Sequence, residues 1–398
     1  MKIAFFTDMF LPQVNGPTTA IVDMAKKLAD RGHQIYIIAP KFPKIHEFSY
    51  KNVAVRRCAS VPAMIYKDLK LTSVFDPSIL KLVKDNKIDI VHFHTPATLG
   101  LQAILVARIL RLPLVGTFHG YFMDRALLRH AKLDYAFAEN LAWRYSNFIY
   151  NRCDLVVCSS DKTKAELIAR KLKSLIKVIP HGIDTSVFDN PKSASVKKAF
   201  NRNGKLLLFV GRVAHGKNIL FLLDCLALVL RKIPTVKLVI VGSGPQLPEV
   251  KSKIKAVGIE KSVILTGEIK HEALVKSGIF GACDVFVNAS EVETGPLTVL
   301  EAQANGLVCV SVKGKGMNLV KNNVNGYNVE VGDKKAFVNA IIELLTDKRE
   351  YSRMKKATLK MVKKYELARI IEMWQKTYSK LLEEHKNKLR QTSRRPPA

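Results

Sequence analysis

The stretch "DVFVNASEVETGPLTVLEAQANG", residues 284–306, decides the fold class, because a strand, a loop and a helix follow one another within it. Residues 284–290 are mostly apolar with β-branched side chains and predict a short strand, and residues 290–296 predict a loop. Residues 297–305 have apolar side chains at helical spacing, and Gly306 ends the predicted helix. A strand that leads into a helix is the unit from which parallel sheets are built.

The same alternation continues along the chain in two series, which the turn-rich segment "PHGIDTSVFDNPKSAS" (180–195) separates. The first series runs from "KIAFF" (2–6) to "IKVIP" (176–180). Strands of the second series are predicted in "KLLLFVG" (205–211), "VKLVIVG" (236–242), "SVILTG" (262–267) and "VCVSV" (308–312). This pattern predicts an α/β fold of two doubly wound, Rossmann-like domains, with ligands bound at the C-terminal strand ends in a cleft between them.

The turn-rich segment and a long helical pattern near the C-terminus set the predicted domain boundaries. An amphipathic helical pattern covers about 351–384, and the basic, proline-ended residues after it predict disorder. The predicted divisions are a first domain over 1–178, a hinge over 179–186, a second domain over 187–365, a C-terminal helix over 366–384 and a disordered tail over 385–398.

The charge of the chain points to anionic partners. The 398 residues include 64 Lys and Arg against 34 Asp and Glu, a formal charge of +30, which favours nucleic acid, anionic lipid or phosphorylated ligands. No motif of an RNA- or DNA-binding module is present, so no nucleic-acid partner is expected. The sequence shows neither a signal peptide nor an apolar run of about 18 residues, and its six cysteines fit neither a disulfide framework nor a metal site. A cytoplasmic protein is therefore expected.

Two basic side chains follow the first strand of the second series, in "VGRVAHGKN" (210–218). The guanidinium of Arg212 and the ammonium of Lys217 together suit a diphosphate, although two solvated basic residues are the alternative. The Gly-x-Gly turn of "VGSGPQL" (241–247) lets a backbone approach a phosphate, or else makes a tight strand-to-helix turn.

The opening stretch adds two carboxylates to a helix start. The first amides of a helix have no intrahelical acceptor and favour an anion. Glu301 can accept two hydrogen bonds from a ribose diol, and Glu293 can accept them from sugar hydroxyls. The alternative is a structural glutamate in an early helical turn and a surface glutamate in a loop.

Six motifs in this order resemble the retaining nucleotide-sugar glycosyltransferases of family 4, which have the GT-B fold. The motifs are "FLPQVNGPT" (10–18), "FHG" (118–120), "IPHGID" (179–184), "VGRVAHGKN" (210–218), "VGSGP" (241–245) and "ETGPLTVLE" (293–301). The resemblance covers almost the whole chain. It implies that the first domain binds the acceptor, that the second binds the nucleotide-sugar, and that the C-terminal helix returns to the first domain.

The resemblance also implies the catalytic residues. His119 contacts the donor sugar near its reacting carbon, and Glu293 contacts the same sugar. Arg212 and Lys217 neutralise the diphosphate leaving group. The implied reaction retains the configuration of the sugar: the C–O bond to the diphosphate breaks first, and the acceptor hydroxyl attacks from the same face.

Donor binding is implied at further positions. Gly16 lets the first loop approach the diphosphate, and Glu301 binds the ribose hydroxyls. Other donor contacts are implied at Gly211, Gly242, Gly267, Ile269, Leu297 and Thr298. Neither a metal nor another cofactor is implied, because basic side chains and helix dipoles take the place of a divalent ion.

Three positions depart from the family pattern. The family has Glu where this chain has Gly216, and Gly where it has Pro296. Proline has no N–H, so the amides of Leu297 and Thr298 remain for a phosphate. Pro17 replaces a commoner glycine or valine.

Within the family, "HFHTPATLG" (92–100) and the two motifs that contain Gly16 and Glu301 look most like the branch that glucosylates diacylglycerol. This implies a hexosyltransferase with UDP-glucose favoured as donor, a lipid acceptor, and a peripheral position on the cytoplasmic face of an anionic membrane. Segments 61–71 and 123–133 mix apolar and basic residues and are candidates for membrane contact. Residues 162–177 predict either an interfacial helix or a surface helix packed on its sheet.

Other functions remain open. One alternative is a transferase dependent on GDP-mannose or another sugar-nucleotide, with phosphatidylinositol or a glycan as acceptor. The others are a nucleic-acid-binding protein and a catalytically silent relative that binds a partner. The sequence does not indicate the oligomeric state.

Overall fold

The computed structural model describes residues 1–13, 15–42, 48–62, 70–120, 135–188, 192–293 and 295–393. The chain divides into two compact units. One unit contains the described residues of Met1–Gly182 together with those from Ala368 onward, and the other contains those of Ile183–Leu367. Segment 123–133, most of 61–71 and residues 394–398 of the predicted tail lie outside the described residues.

The sheet of the first unit is parallel throughout. Its strands are β1 (Lys2–Phe6), β2 (Gln34–Pro40), β3 (Val53–Cys58), β6 (Ile90–Phe93), β7 (Leu114–Phe118), β8 (Leu155–Cys158) and β9 (Ile176–Val178). They lie in the order β3-β2-β1-β6-β7-β8-β9. A separate antiparallel pair consists of β4 (Ser60–Pro62) and β5 (Lys70–Thr72).

Helices cover both faces of this sheet. They are α1 (Gly16–Asp30), α2 (Pro77–Asp85), α3 (Thr98–Ile109), α4 (Tyr135–Tyr150), α5 (Asp161–Ala169) and the C-terminal α14 (Leu367–Ser393). Parallel crossovers are right-handed, so α3, α4 and α5, which connect β6 to β9 in one direction, lie on one face. The chain moves the opposite way from β1 to β2, so α1 lies on the other face. There Arg31 Nη1, just after α1, donates to Gln375 Oε1 of α14 at 2.6 Å.

The second unit repeats this design. Its parallel strands are β10 (Leu206–Val210), β11 (Lys237–Val241), β12 (Val263–Gly267), β13 (Val285–Asn288), β14 (Val308–Val312) and β15 (Gly326–Val329), in the order β12-β11-β10-β13-β14-β15. Its helices are α6 (Ser193–Asn201), α7 (Ile219–Leu230), α8 (Leu247–Ala256), α9 (His271–Val275), α10 (Ile279–Ala282), α11 (Leu297–Ala304), α12 (Lys334–Thr346) and α13 (Lys348–Val362).

The strands of the second unit are apolar because both faces of the sheet are buried. Along β10, Leu207 and Phe209 join one hydrophobic core, whereas Leu206, Leu208 and Val210 join another. Alternate residues of a strand point to opposite faces, so a continuous apolar run fills both cores at once. The predicted α/β class with two doubly wound units, and with a C-terminal helix that belongs to the first unit, is confirmed.

A side-chain hydrogen bond fixes the start of α5. Ser160 is its N-cap, and the Ser160 Oγ accepts from the Thr163 N–H at 3.1 Å. The helix is shorter than predicted and ends at Ala169, because Lys171 adopts a left-handed φ of 66°.

A single interfacial helix over 162–177 was therefore a wrong prediction, whereas the alternative of a surface helix packed on its sheet holds for Asp161–Ala169, which buries Leu167 in the core, and the strand predicted at 176–180 is β9. Leu172 and Ile176 are buried in the core of the first unit, whereas Ile168 and Leu175 are exposed. The segment is a helix, a turn and the strand β9 in succession.

The predicted helical stretch over 351–384 is two helices. A 3-10 turn at Lys363–Tyr365 separates α13 from α14, and the Leu367 N–H then donates to the Ile183 carbonyl at 2.8 Å. This pairing with a distant segment draws the backbone out of the helical path. The helix α14 then continues to Ser393, so residues 385–393 are helical and not disordered as predicted. Over the described ranges, no helix has the length and apolar character needed to cross a bilayer.

Candidate active site

In the second unit, the ends of β10 and β11 come into close backbone contact. An ideal Cβ on Gly242 would lie 2.0 Å from the carbonyl oxygen of Gly211, and one on Gly244 would lie 2.4 Å from that of Val213. The Gly211 N–H donates to the Val241 carbonyl at 3.0 Å. The close packing of these two strand ends leaves no room for a side chain at 242 or 244. Glycine is therefore needed at both positions for structural reasons, whether or not a donor binds there. The role of Gly211 and Gly242 in donor binding stays a prediction.

The loop after β13 places Glu293 against Lys217. Backbone pairing with the loop after β14 holds this segment, because the Glu293 N–H donates to the Lys315 carbonyl at 2.7 Å. Gly314 permits the approach, since a Cβ there would lie 2.4 Å from the Ser290 carbonyl oxygen. Lys217 lies in a 3-10 turn after β10, and its Nζ is 2.6 Å from Glu293 Oε1. The structure thus joins two side chains that the sequence predicts as catalytic.

The helix α11 begins at Leu297 after Pro296, which provides no side-chain cap. The amides of Leu297 and Thr298 are the first two of the helix and have no intrahelical acceptor. Glu301, in the second turn, is only 4% exposed. Its Oε1 lies 2.6 Å from Nε2 of His271, the first residue of α9. The carboxylate is therefore held in one orientation by a residue that sequence reasoning missed.

The remaining predicted donor contacts are spread over several loops. The Arg212 side chain is exposed just after β10, and Gly267 ends β12 with a φ of +73°. Ile269 is partly buried against a core of the second unit. Gly16 is the first residue of α1 in the first unit, and an ideal Cβ there would meet no described atom within 4 Å.

In the first unit, His119 follows β7 and is buried beside His94, which follows the adjacent β6. Nδ1 of His94 lies 3.0 Å from Nε2 of His119, and the ring of His181 stacks parallel to that of His119 at 5.6 Å. Burial lowers the pKa of both His94 and His119 well below the usual histidine range, so both rings are neutral. One proton therefore lies between these two nitrogens and couples the tautomers of the two rings.

A further histidine extends this arrangement into the core. The His92 Nδ1 lies 2.7 Å from the Tyr378 hydroxyl of α14, and its Nε2 lies 2.7 Å from Thr117 Oγ1. The centroid of its ring is 4.0 Å from that of His94. The His-x-His spacing on a strand, which puts both rings on one face, was the sequence signal that could have identified this group.

Asp8, two residues after β1, is fully buried at the same edge of the sheet. Its carboxylate accepts from Thr95 Oγ1 at 2.7 Å, from Thr98 Oγ1 at 2.8 Å and from the Leu99 N–H at 3.0 Å. Burial outweighs these hydrogen bonds and raises the pKa of Asp8 to about 6. The sequence analysis did not select this residue.

Comparisons with known proteins agree with this architecture. The model described as Glycosyltransferase Family 4 matches residues 14–187, and the model described as Glycosyl transferases group 1 matches residues 192–361. An alpha-monoglucosyldiacylglycerol synthase from Streptococcus pneumoniae is 31% identical over 320 residues, which are 77% of this chain and 70% of the relative. A GDP-mannose-dependent alpha-mannosyltransferase from Corynebacterium glutamicum is 27% identical over 369 residues, which are 91% and 85% of the two chains.

The fold itself has solved counterparts. The crystal structure of HepE from Anabaena, in complex with UDP and glucose, superposes with a TM-score of 0.75 at 20% identity and covers 96% of this chain and 100% of its own. At that identity the likeness shows the fold alone, and the fold is the GT-B arrangement that the sequence motifs imply.

Proposed function

Because the chain belongs to glycosyltransferase family 4, we propose that it transfers glucose from UDP-glucose to a diacylglycerol hydroxyl at an anionic membrane surface. The chain is a hexosyltransferase that uses a nucleotide-sugar. Support for the lipid acceptor comes from the Streptococcus pneumoniae relative, which is named for a glucosyldiacylglycerol product. The reaction takes place at the cytoplasmic face.

The pairing of both glutamates in the second unit carries the proposal. Glu293 and Glu301 are buried, and each is held by a basic or imidazole partner at 2.6 Å. Carboxylates fixed in this way accept hydrogen bonds from sugar and ribose hydroxyls without a further cost of ordering their side chains. Two glutamates on the surface would be solvated and would not need such partners.

Basic side chains and helix amides of the second unit would stabilise the leaving group of the reaction. As the C–O bond between sugar and diphosphate lengthens, negative charge grows on the leaving phosphate. Arg212, Lys217 and the amides at the start of α11 stabilise that charge, and the sugar carbon gains oxocarbenium character. The acceptor hydroxyl attacks from the face that the phosphate leaves, and the departing phosphate accepts the hydroxyl proton.

His119 acts near the reacting sugar carbon. A neutral imidazole in contact with His94 donates or accepts one hydrogen bond in a fixed direction. It therefore orients the donor sugar and adds no positive charge beside the oxocarbenium centre.

A donor and acceptor panel tests the proposal. UDP-glucose, UDP-galactose and GDP-mannose are each incubated with the full chain and diacylglycerol in anionic micelles, and both nucleotide release and glycolipid are measured. UDP-glucose should give glucosyldiacylglycerol, and a metal chelator should leave the rate unchanged. Transfer from none of the three donors, or an absolute need for a divalent ion, contradicts the proposal.

A second candidate is mannosyl transfer from GDP-mannose, because the Corynebacterium glutamicum relative aligns over more of this chain than the Streptococcus relative does. The same donors are then tested with phosphatidylinositol in place of diacylglycerol. Release of GDP from GDP-mannose, without release of UDP from either UDP-sugar, would favour this second candidate.

A further inference from the structure

An exposed apolar stripe runs along α4 in the first unit. Phe137, Leu141, Tyr145 and Phe148 have exposed fractions between 41% and 70%. Their spacing of four, four and three residues puts them on one side of the helix. Large apolar side chains that lie exposed beside one another are typical of a surface that contacts a partner or a membrane.

Neighbouring elements carry further exposed apolar side chains. On the α3–α4–α5 face of the sheet, Ile109 of α3 is 54% exposed, and Ile168 of α5 is 55% exposed. Segment 170–175 lies against α4, because Asn147 Nδ2 donates to the Arg170 carbonyl at 2.6 Å and Asn151 Oδ1 accepts from the Lys173 N–H at 2.6 Å. Leu175 in this segment is 66% exposed. We call these exposed apolar residues together the α4 patch: Ile109, Phe137, Leu141, Tyr145, Phe148, Ile168 and Leu175.

Basic side chains lie within and beside the α4 patch. Residues 135–175 include seven Lys and Arg against four Asp and Glu. Arg144 is exposed on the same side of α4, and the guanidinium of Arg152 lies 3.5 Å from the Phe148 ring centroid. The one acidic residue of α4, Glu139, forms an ion pair with Arg170 at 2.6 Å. The charge of the patch is thus positive.

The position of the stripe suits an enzyme that works on lipid. The short connection from Tyr150 to Leu155 puts the end of α4 at the amino end of the sheet. The stripe therefore extends from that end toward the carboxyl end, where His94 and His119 lie.

We infer that the α4 patch binds an anionic lipid bilayer, an inference that rests on the proposed lipid acceptor. Apolar and aromatic side chains enter the interface between headgroups and acyl chains, while the surrounding Arg and Lys contact anionic headgroups. A second copy of the chain fits less well, since two such patches would bring like charges together.

Vesicle co-sedimentation of the full chain tests this inference. The double variant Leu141→Asp with Phe148→Asp should lower the partition constant on phosphatidylglycerol vesicles at least about tenfold. Arg144→Gln should lower it about fivefold on those vesicles and leave binding to phosphatidylcholine vesicles unchanged. The apolar pair Leu141→Ile with Phe148→Leu should bind as wild type does. Val331→Asp, at an exposed position of the second unit, is the matched control.

Activity measurements separate this inference from the proposed function. The Asp variant should still transfer sugar to detergent-dispersed acceptor at the wild-type rate, and should lose transfer only to acceptor in vesicles. Wild-type vesicle binding by the Asp variant overturns the α4 patch and leaves the proposed function standing. If the Asp variant no longer self-associates but still binds vesicles, the membrane inference is also wrong, because the α4 patch then binds a second copy of the chain. If vesicle binding depends on the α4 patch but the chain transfers sugar from none of the donors, the proposed function is wrong and the membrane inference stands.

Discussion

Lys217 Nζ lies 2.6 Å from Glu293 Oε1, so the side chain predicted to bind the donor diphosphate is paired with the one predicted to contact the donor sugar. The resemblance to the family implies an acidic residue at the position of Gly216, directly before this lysine. In this chain, Glu293 supplies the acidic partner from a different loop. The carboxylate of Glu293 can therefore orient Lys217 and also accept a hydrogen bond from the donor sugar.

Replacement of Lys217 tests the charge part of this pair. We expect Lys217→Ala to lower kcat by roughly 10²–10³, because Lys217 is proposed to stabilise the charge that develops on the leaving phosphate. Steady-state kinetics of nucleotide release measures this. Lys313→Ala is the control, since Lys313 forms an ion pair with Glu330 in the same unit and is exposed. Equal losses in both variants would mean that general surface charge, and not the Lys217 site, supports turnover.

The His94–His119 contact predicts a positioning role for His94. His94→Leu removes the hydrogen bond at His119 Nε2, and we expect kcat to fall about tenfold or more with little change in the donor KM. His94→Asn should recover most of the rate, because its amide nitrogen takes the place of the imidazole Nδ1. A purely structural role would instead reduce the rate equally in both variants, in step with their thermal unfolding temperatures.

The contact between His271 and Glu301 predicts an effect on donor binding. We expect His271→Ala to raise the donor KM about tenfold with a smaller change in kcat, because the carboxylate of Glu301, predicted to bind the ribose, loses the group that orients it. His271→Gln places an amide nitrogen near the former Nε2 and should keep a KM close to that of wild type. Fluorescence titration with UDP gives the same comparison without turnover. Unchanged UDP affinity in His271→Ala would remove this residue from the site.

The sequence predicted most of the elements because strand and helix signals are local. The run of Leu206–Val210 identifies a buried strand without any knowledge of its neighbours. The break between α13 and α14 had no such signal, since it depends on pairing with Ile183, far away in the chain. The same limit applied to the site: Glu301 could be selected from its place in a helix, but His271 becomes its partner only when α9 packs near α11.

Buried Asp8 gives a prediction for stability against pH. Its pKa is raised from 3.8 to about 6, so the folded state holds a proton that the unfolded state has lost between these two pH values. Stability from this group is complete below the unfolded pKa and falls as the pH rises through the folded pKa. The shift corresponds to a loss on the order of 3 kcal/mol between pH 4 and pH 7.

Comparison with Asp8→Asn isolates this effect, because asparagine has the same shape and cannot ionise. The free energy of unfolding, measured by urea titration at pH values from 4 to 7, should decrease in wild type relative to the variant as the pH rises. The buried histidines change stability in the opposite direction, since their lowered pKa values favour folding at higher pH, but they are present in both proteins and cancel in the difference. A constant difference across this range would show that Asp8 keeps an ordinary pKa in the folded protein.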